Sequence, residues 1–245
     1  MSFVVLFLAA LWAGVQNALA GGGSFITLPS LMLTGMDARA ANITSTIALF
    51  PGQLASGWTG RKHVSGASEL SFRALVIISL IGGALGALLL LSTPPTFFAH
   101  LLPWLVLFAT ALFAWGSFGP KRATPRPLHR FGAAGAQFAI SIYGGYFGGG
   151  IGFLMLAALT AAGLALRNAS ATKNVLAGVM NASAVAIFVF SPEVRWFAVA
   201  IAGAGAIIGG VVGGLMLRKV NARALRLLVV AIGLALTVGL FLRAP

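Results

Sequence analysis

The sequence predicts an all-α integral membrane protein made of two inverted repeats, each a glycine-broken re-entrant hairpin followed by three transmembrane helices. Three observations predict it. Of 245 residues, 59% are hydrophobic and only 8% are charged, against roughly 25% charged in soluble domains. Lys and Arg gather in short clusters between long apolar stretches. A glycine triplet recurs at 21–23 and 148–150, each time inside an otherwise apolar segment.

A hydrocarbon core of about 30 Å needs about 20 helical residues per crossing. The first repeat, 1–118, opens with an apolar segment at 2–35. At about 1.5 Å per residue it would reach about 50 Å as one helix, too long for a straight span. Glycine costs a helix interior roughly 1 kcal/mol relative to alanine, so the triplet at its centre predicts a break and a hairpin. Spans at 40–60, 72–92 and 98–118 follow. A basic linker at 119–131, "GPKRATPRPLHR", then leads into the second repeat at 132–245. That repeat has the same order: a hairpin at 132–163 holding "GGYFGGG", then spans at 170–190, 196–216 and 224–242. Residues 1–17 carry no Lys or Arg. The A-x-A pattern Ala18-Leu19-Ala20 therefore lacks the basic n-region of a secretory signal, and cleavage is not expected.

Charge fixes the orientation. The basic clusters are Arg61, Lys62 and Arg73; Lys121, Arg122, Arg126 and Arg130; Arg167; and Arg218, Lys219, Arg223 and Arg226. Placing all of them in the cytoplasm leaves only Arg39, Arg195 and Arg243 outside, a strong positive-inside bias. The net charge of +13 thus belongs to membrane loops rather than to nucleic-acid binding. Segment 132–163 then starts and ends in the cytoplasm, whereas 2–35 is entered from outside, so the two halves run in opposite senses. Internal repetition agrees: "GGGSFITLPSLMLTGMDARAANITST" aligns with "GGGIGFLMLAALTAAGLALRNASATKN", pairing Arg39 with Arg167 and Thr44 with Thr172. "IGGALG" at 81–86 matches "IGGVVG" at 208–213. The G-x-x-x-G spacings Gly82/Gly86 and Gly209/Gly213 let helix backbones approach closely.

A non-helical backbone inside hydrocarbon is tolerated only where protein buries it or it lines an aqueous cavity. The triplets therefore predict a midplane cavity formed around Gly22, Gly23, Gly149 and Gly150. A new half-helix would begin there at Ser24 and another at Ile151, each aiming free N–H groups and partial positive charge at the cavity. Such ends bind anions. Asn42, Thr44, Ser45, Thr172, Lys173 and Asn174 are polar residues inside spans and are expected to complete the site, with Asn181 and Gln53 as lesser candidates. Lys173 either supplies a compensating charge or snorkels to the interface. The hydroxyls either face the cavity or bond back to their own helix. The plainer reading of the glycines is tight helix crossing alone, which a duplicated pair makes less attractive.

The only carboxylates are Asp37, Glu69 and Glu193, all in expected loops, which disfavours cation transport. The chain has no cysteine, so disulfides and thiolate metal sites are excluded, and no metal or cofactor is expected. Catalysis is not expected either. Ser24 would need a base within reach, while His63 and His129 fall in loops, His100 at a span end, and no H-E-x-x-H is present.

The stretches "GGGSFITLPSL", "AANITSTIALFPG", "YGGYFGGGIGFLMLA" and "KNVLAG" resemble the sulfite exporter TauE/SafE family of bacterial membrane proteins over nearly the whole chain. The resemblance implies a multi-pass inner-membrane protein with a duplicated sequence. It also implies a small anionic substrate such as sulfite, sulfoacetate or another organosulfonate. Interrupted helices in inverted repeats point to a secondary transporter; a passive anion channel or a non-transporting membrane subunit would share the composition. Direction, coupling ion and oligomeric state are left open.

Overall fold

The computed structural model describes residues 3–19, 22–119, 128–216 and 222–243. Expectations resting on Ala20, Gly21, Lys121, Arg122, Arg126, Arg218 and Lys219 lie outside the described residues. The architecture among the described residues is all-helical. In chain order the helices are α1 (Phe3–Leu19), α2 (Ser24–Met32), α3 (Ala38–Gly60), α4 (Phe72–Ser92), α5 (Pro95–Phe118), α6 (Arg130–Tyr146), α7 (Ile151–Ala161), α8 (Leu166–Phe188), α9 (Trp196–Met216) and α10 (Ala222–Arg243). A short 3-10 turn, Arg61–His63, follows α3.

Both glycine-bearing segments are broken where the triplets stand. α1 gives way to α2, which packs back against it, and α6 gives way to α7 in the same fashion. Gly22, Gly148 and Gly150 take positive φ of 79°, 78° and 76°, a region that glycine enters without the steric cost other residues meet. A left-handed glycine follows each half-helix: Gly163 directly after the C-cap of α7, the usual C-terminal stop of a helix, and Gly35 three residues after the end of α2.

Among the described residues, four stretches are long and apolar enough to cross a bilayer: Phe72–Ser92, Pro95–Phe118, Arg167–Phe188 and Trp196–Gly213. α3 has the length, but Asn42, Thr44, Ser45, Thr46 and Gln53 dilute its apolar character. It tolerates them because it is central: Asn42, Ile43, Thr44 and Ser45 are all buried, with α2, α8, α9 and α5 packed around it. α4, by contrast, exposes Ile77, Leu80, Ile81, Leu85, Leu88 and Leu89, the outer face a lipid-contacting helix needs.

The most extensive helix pairings are α1 on α9 and α4 on α6, and glycine sets both. A Cβ at Gly82 would crowd the Phe138 carbonyl, and one at Gly86 would collide with the Ile142 carbonyl. In the other pairing, Gly209 abuts the Leu11 carbonyl and Gly213 the Val15 carbonyl. Each contact of the second set lies 127 residues from a contact of the first, on both helices. Further pairings follow suit: α3 with α9 and α8 with α4, α2 with α3 and α7 with α8, α10 with α2 and α5 with α7.

Candidate anion cavity between the two helix breaks

α3 and α8 lie side by side at the centre, and the two breaks meet beside them. Together they enclose a cavity of about 70 Å³ lined by Gly22, Ser24, Gly148, Gly150, Ile151 and Gly152 from the breaks. α3 adds Thr46, Leu49 and Gln53; α8 adds Lys173, Asn174, Ala177 and Asn181; Asn17 and Phe147 complete the wall. The space suits a few waters or one small oxyanion.

Of the residues expected at the site, the cavity gathers Gly22, Ser24, Gly150, Ile151, Lys173 and Asn174, together with the lesser candidates Gln53 and Asn181. α2 begins at Ser24 and α7 at Ile151, so both half-helix N-termini open into the same space. The first N–H groups of any helix lack intrahelical partners, and no backbone bond among the described residues takes the N–H of Ile151 or Gly152. The Lys173 amine stands at the same end: a Cβ on Gly152 would lie 3.6 Å from its Nζ. Lys173 is half-buried within the bundle. None of the chain's three acids is at hand to neutralise it: Asp37 caps α3 through its side chain, Glu193 pairs with Arg39, and Glu69 sits in the turn after α3. A cation and the positive end of a helix dipole converging on one polar space repel each other until an anion lies between them.

The other expected residues lie outside the cavity wall, each with a partner or a packing role that explains its place. Thr44 Oγ1 accepts the Arg195 N–H at 3.4 Å. Thr172 Oγ1 accepts the Ser65 N–H at 3.1 Å and donates to the Ser65 carbonyl at 3.3 Å. These two threonines, matched by the repeat, thus each tie down the loop that follows the opposite central helix. Ser45 shares a 2.5 Å hydrogen bond with Thr27, and Asn42 donates to the Tyr146 carbonyl at 3.1 Å. Gly23 fits against the Ala13 carbonyl, and Gly149 against the rings of Phe147 and Phe25. Asn17 is the polar lining residue that sequence reading passed over, and Thr46, polar within the same span as Thr44 and Ser45, was not assigned to the site. Repeat alignment was the available signal for Thr46, since it matches Asn174.

At its two ends the central pair is fastened differently. Arg39, at the start of α3, pairs with Glu193 and donates from Nε to Glu193 Oε2 at 3.0 Å. Its Nη1 also donates to the carbonyls of Leu91 and Thr93. Tyr146 donates to Thr93 Oγ1 at 3.3 Å. Arg167, the counterpart at the start of α8, donates to His63 Nε2 at 2.9 Å on an exposed surface.

The family described as Sulfite exporter TauE/SafE matches residues 6–240. A probable membrane transporter protein of Haemophilus influenzae is 31% identical over 240 residues, covering 95% of this chain and 92% of that one. The probable membrane transporter protein ORF9 of Sinorhizobium sp is 31% identical over 248 residues, 96% and 90% of the two chains. The probable membrane transporter protein YfcA of Escherichia coli K12 is 26% identical over 242 residues, 96% and 88%. No solved structure matches the chain.

Proposed function

Because the chain belongs to the sulfite exporter TauE/SafE family and is a multi-pass membrane transporter, we propose that it moves a small sulfur oxyanion, sulfite or an organosulfonate such as sulfoacetate, across the bacterial inner membrane. One observation carries the anionic substrate: the Lys173 amine and the open N–H groups at the start of α7 face one small polar cavity at the middle of the bundle. Charge-assisted and amide hydrogen bonds to its three oxygens are what a sulfonate or sulfite group accepts. Asn174 and Ser24 supply further donors, whereas the Thr46 hydroxyl is spent on the Asn42 carbonyl at 2.9 Å.

The mechanism we propose is alternating access through two inverted repeats, 1–118 and 132–245. Helix pairings that recur in matched sets, and glycine contacts that recur 127 residues apart on both partners, support the repeat. Interrupted helices with binding at the repeat interface belong to the same design. On this reading α3 and α8 border the substrate while the fastened ends, at Arg39 and at Arg167, open in turn.

Uptake of labelled sulfite, sulfoacetate, taurine and sulfate into proteoliposomes, with and without a proton gradient, tests the reading. Saturable uptake with counterflow is the expected result. Conductance without exchange would make the protein a channel. Failure of every oxyanion to move or to compete would remove the anion assignment altogether.

A further inference from the structure

On the far side of the α3–α8 pair from the hairpin breaks runs a second concavity, an apolar groove of about 370 Å³ that shares only Gln53 and Asn174 with the polar cavity. Gly57 and Gly178 make it: both are buried where a larger side chain would fill the furrow between the helices. Leu54 and Trp58 form one bank, exposed by 50% and 67%, and Val179 the other. Arg61 stands at the mouth, its guanidinium 3.9 Å above the Trp58 ring, with one N–H capping the Trp58 carbonyl at 2.9 Å and the rest of the group exposed. Lys62 follows in the same turn, also exposed.

We propose that this groove holds one acyl chain of an anionic phospholipid, with the headgroup phosphate at Arg61 and Lys62. Three features identify the occupant. Arg61 lies eight residue steps beyond Gln53, a run of about 12 Å at helical rise, close to the roughly 15 Å of hydrocarbon in one leaflet. The furrow therefore spans the distance from headgroup level to the midplane, where the polar Gln53 and Asn174 end it. A Trp beside a cation is what the bilayer interface selects, and paired basic residues at a groove between helices on the basic-loop side suit an anionic headgroup. A second copy of the chain fits poorly, because a twofold contact through this face would bring Arg61 and Lys62 of both copies together. The lipid would wedge α3 against α8 immediately behind the transport cavity.

Native mass spectrometry of the full chain in mild detergent, titrated with phosphatidylglycerol or phosphatidylcholine of the same chains, tests it. One phosphatidylglycerol should be retained with at least about fivefold preference, and the paired change Arg61→Gln, Lys62→Gln should abolish that preference, since each basic residue near the surface contributes about a fivefold factor. Val179→Trp should evict both lipids. Should that variant not fold, Gly178→Leu serves, because its Cβ meets only Leu54 Cδ2 at 4.0 Å. Equal retention of the two lipids, or retention unchanged by the groove-filling variants, overturns the proposal. So does a dimer that Val179→Trp dissociates, which would give the groove to a second copy.

Discussion

Asn181 of α8 donates a 2.6 Å hydrogen bond to Gln53 Oε1 of α3, and the two residues occupy the same position in the two aligned halves, 128 apart. A bond between a residue and its own counterpart lies at the crossing of the two halves. Both side chains also border the polar cavity. The buried Asn181 amide would be costly in an apolar bundle without a partner, and the half-buried Gln53 takes its N–H.

The pair therefore predicts measurable coupling. Asn181→Leu and Gln53→Leu should each destabilise the fold, and the double variant should lose less than the sum. A coupling of about 1 kcal/mol is expected from interhelical hydrogen bonds in membranes. Unfolding titrations in mixed micelles measure it; additive losses would mean that the bond contributes nothing.

Much of this arrangement was legible in the sequence, for physical reasons that also mark its limit. Three consecutive glycines cannot pass unnoticed in an apolar helix, and α2 and α7 start at Ser24 and Ile151, directly after the triplets. The faces of the central helices were not legible. Thr44, Ser45 and Thr46 follow one another about 100° apart around α3, so they point in different directions. Only Thr46 borders the cavity, while Thr44 holds a loop and Ser45 holds α2. The first half of α3 is enclosed by protein and has no lipid side to set its phase, so nothing in the residue pattern there says which hydroxyl faces the ligand. The Arg39–Glu193 pair was equally hidden, since it joins residues 154 apart.

Helix spacing offers the second prediction. Gly86→Ala and Gly209→Ala each place a methyl against backbone, at the carbonyls of Ile142 and Leu11 respectively. A backbone cannot rotate aside as a side chain does, so both variants should part their helix pairs and lower the yield of folded protein. Gly116→Ala and Gly239→Ala meet nothing within 4 Å and should behave as wild type. Size-exclusion profiles and thermal melts in detergent distinguish the two classes. Equal behaviour of all four would show that the close crossings do not govern stability.

Lys173 offers the third. If its amine and the N–H groups of Ile151 and Gly152 share an oxyanion, Lys173→Gln removes the only cation on the cavity wall. Binding of sulfite or sulfoacetate, followed calorimetrically in detergent, should weaken by about tenfold to a hundredfold, the range for losing a hydrogen bond to a charged group. Asn174→Ala should cost less, being neutral. Unchanged affinity in Lys173→Gln would remove the lysine from the site and leave its proximity to α7 without a functional meaning.

The fourth prediction concerns which end of the bundle is sealed. Arg39 ties the start of α3 to Glu193, to Leu91 and to Thr93, joining three separate elements at one end. Arg167, at the opposite end, has an exposed histidine as its partner. An exposed pair of that kind contributes little, whereas the side chains of Arg39 and Glu193 are only 13% and 23% exposed and carry charge-assisted bonds. The cavity should accordingly be reached from the Arg167 end, and alternating access requires the Arg39 latch to break. The chain contains no cysteine, so Thr46→Cys gives a single thiol on the cavity wall. A membrane-impermeant thiol reagent should label it faster from the Arg167 face of oriented vesicles. Adding Glu193→Gln removes the ion pair and should raise labelling from the Arg39 face by about tenfold, the factor for one weakened charged hydrogen bond. Arg167→Gln should change either rate by less than about threefold, as expected for an exposed contact. Labelling at equal rates from both faces, insensitive to Glu193→Gln, would mean that the Arg39–Glu193 pair only braces the loops and that the barrier to the substrate lies elsewhere in the bundle.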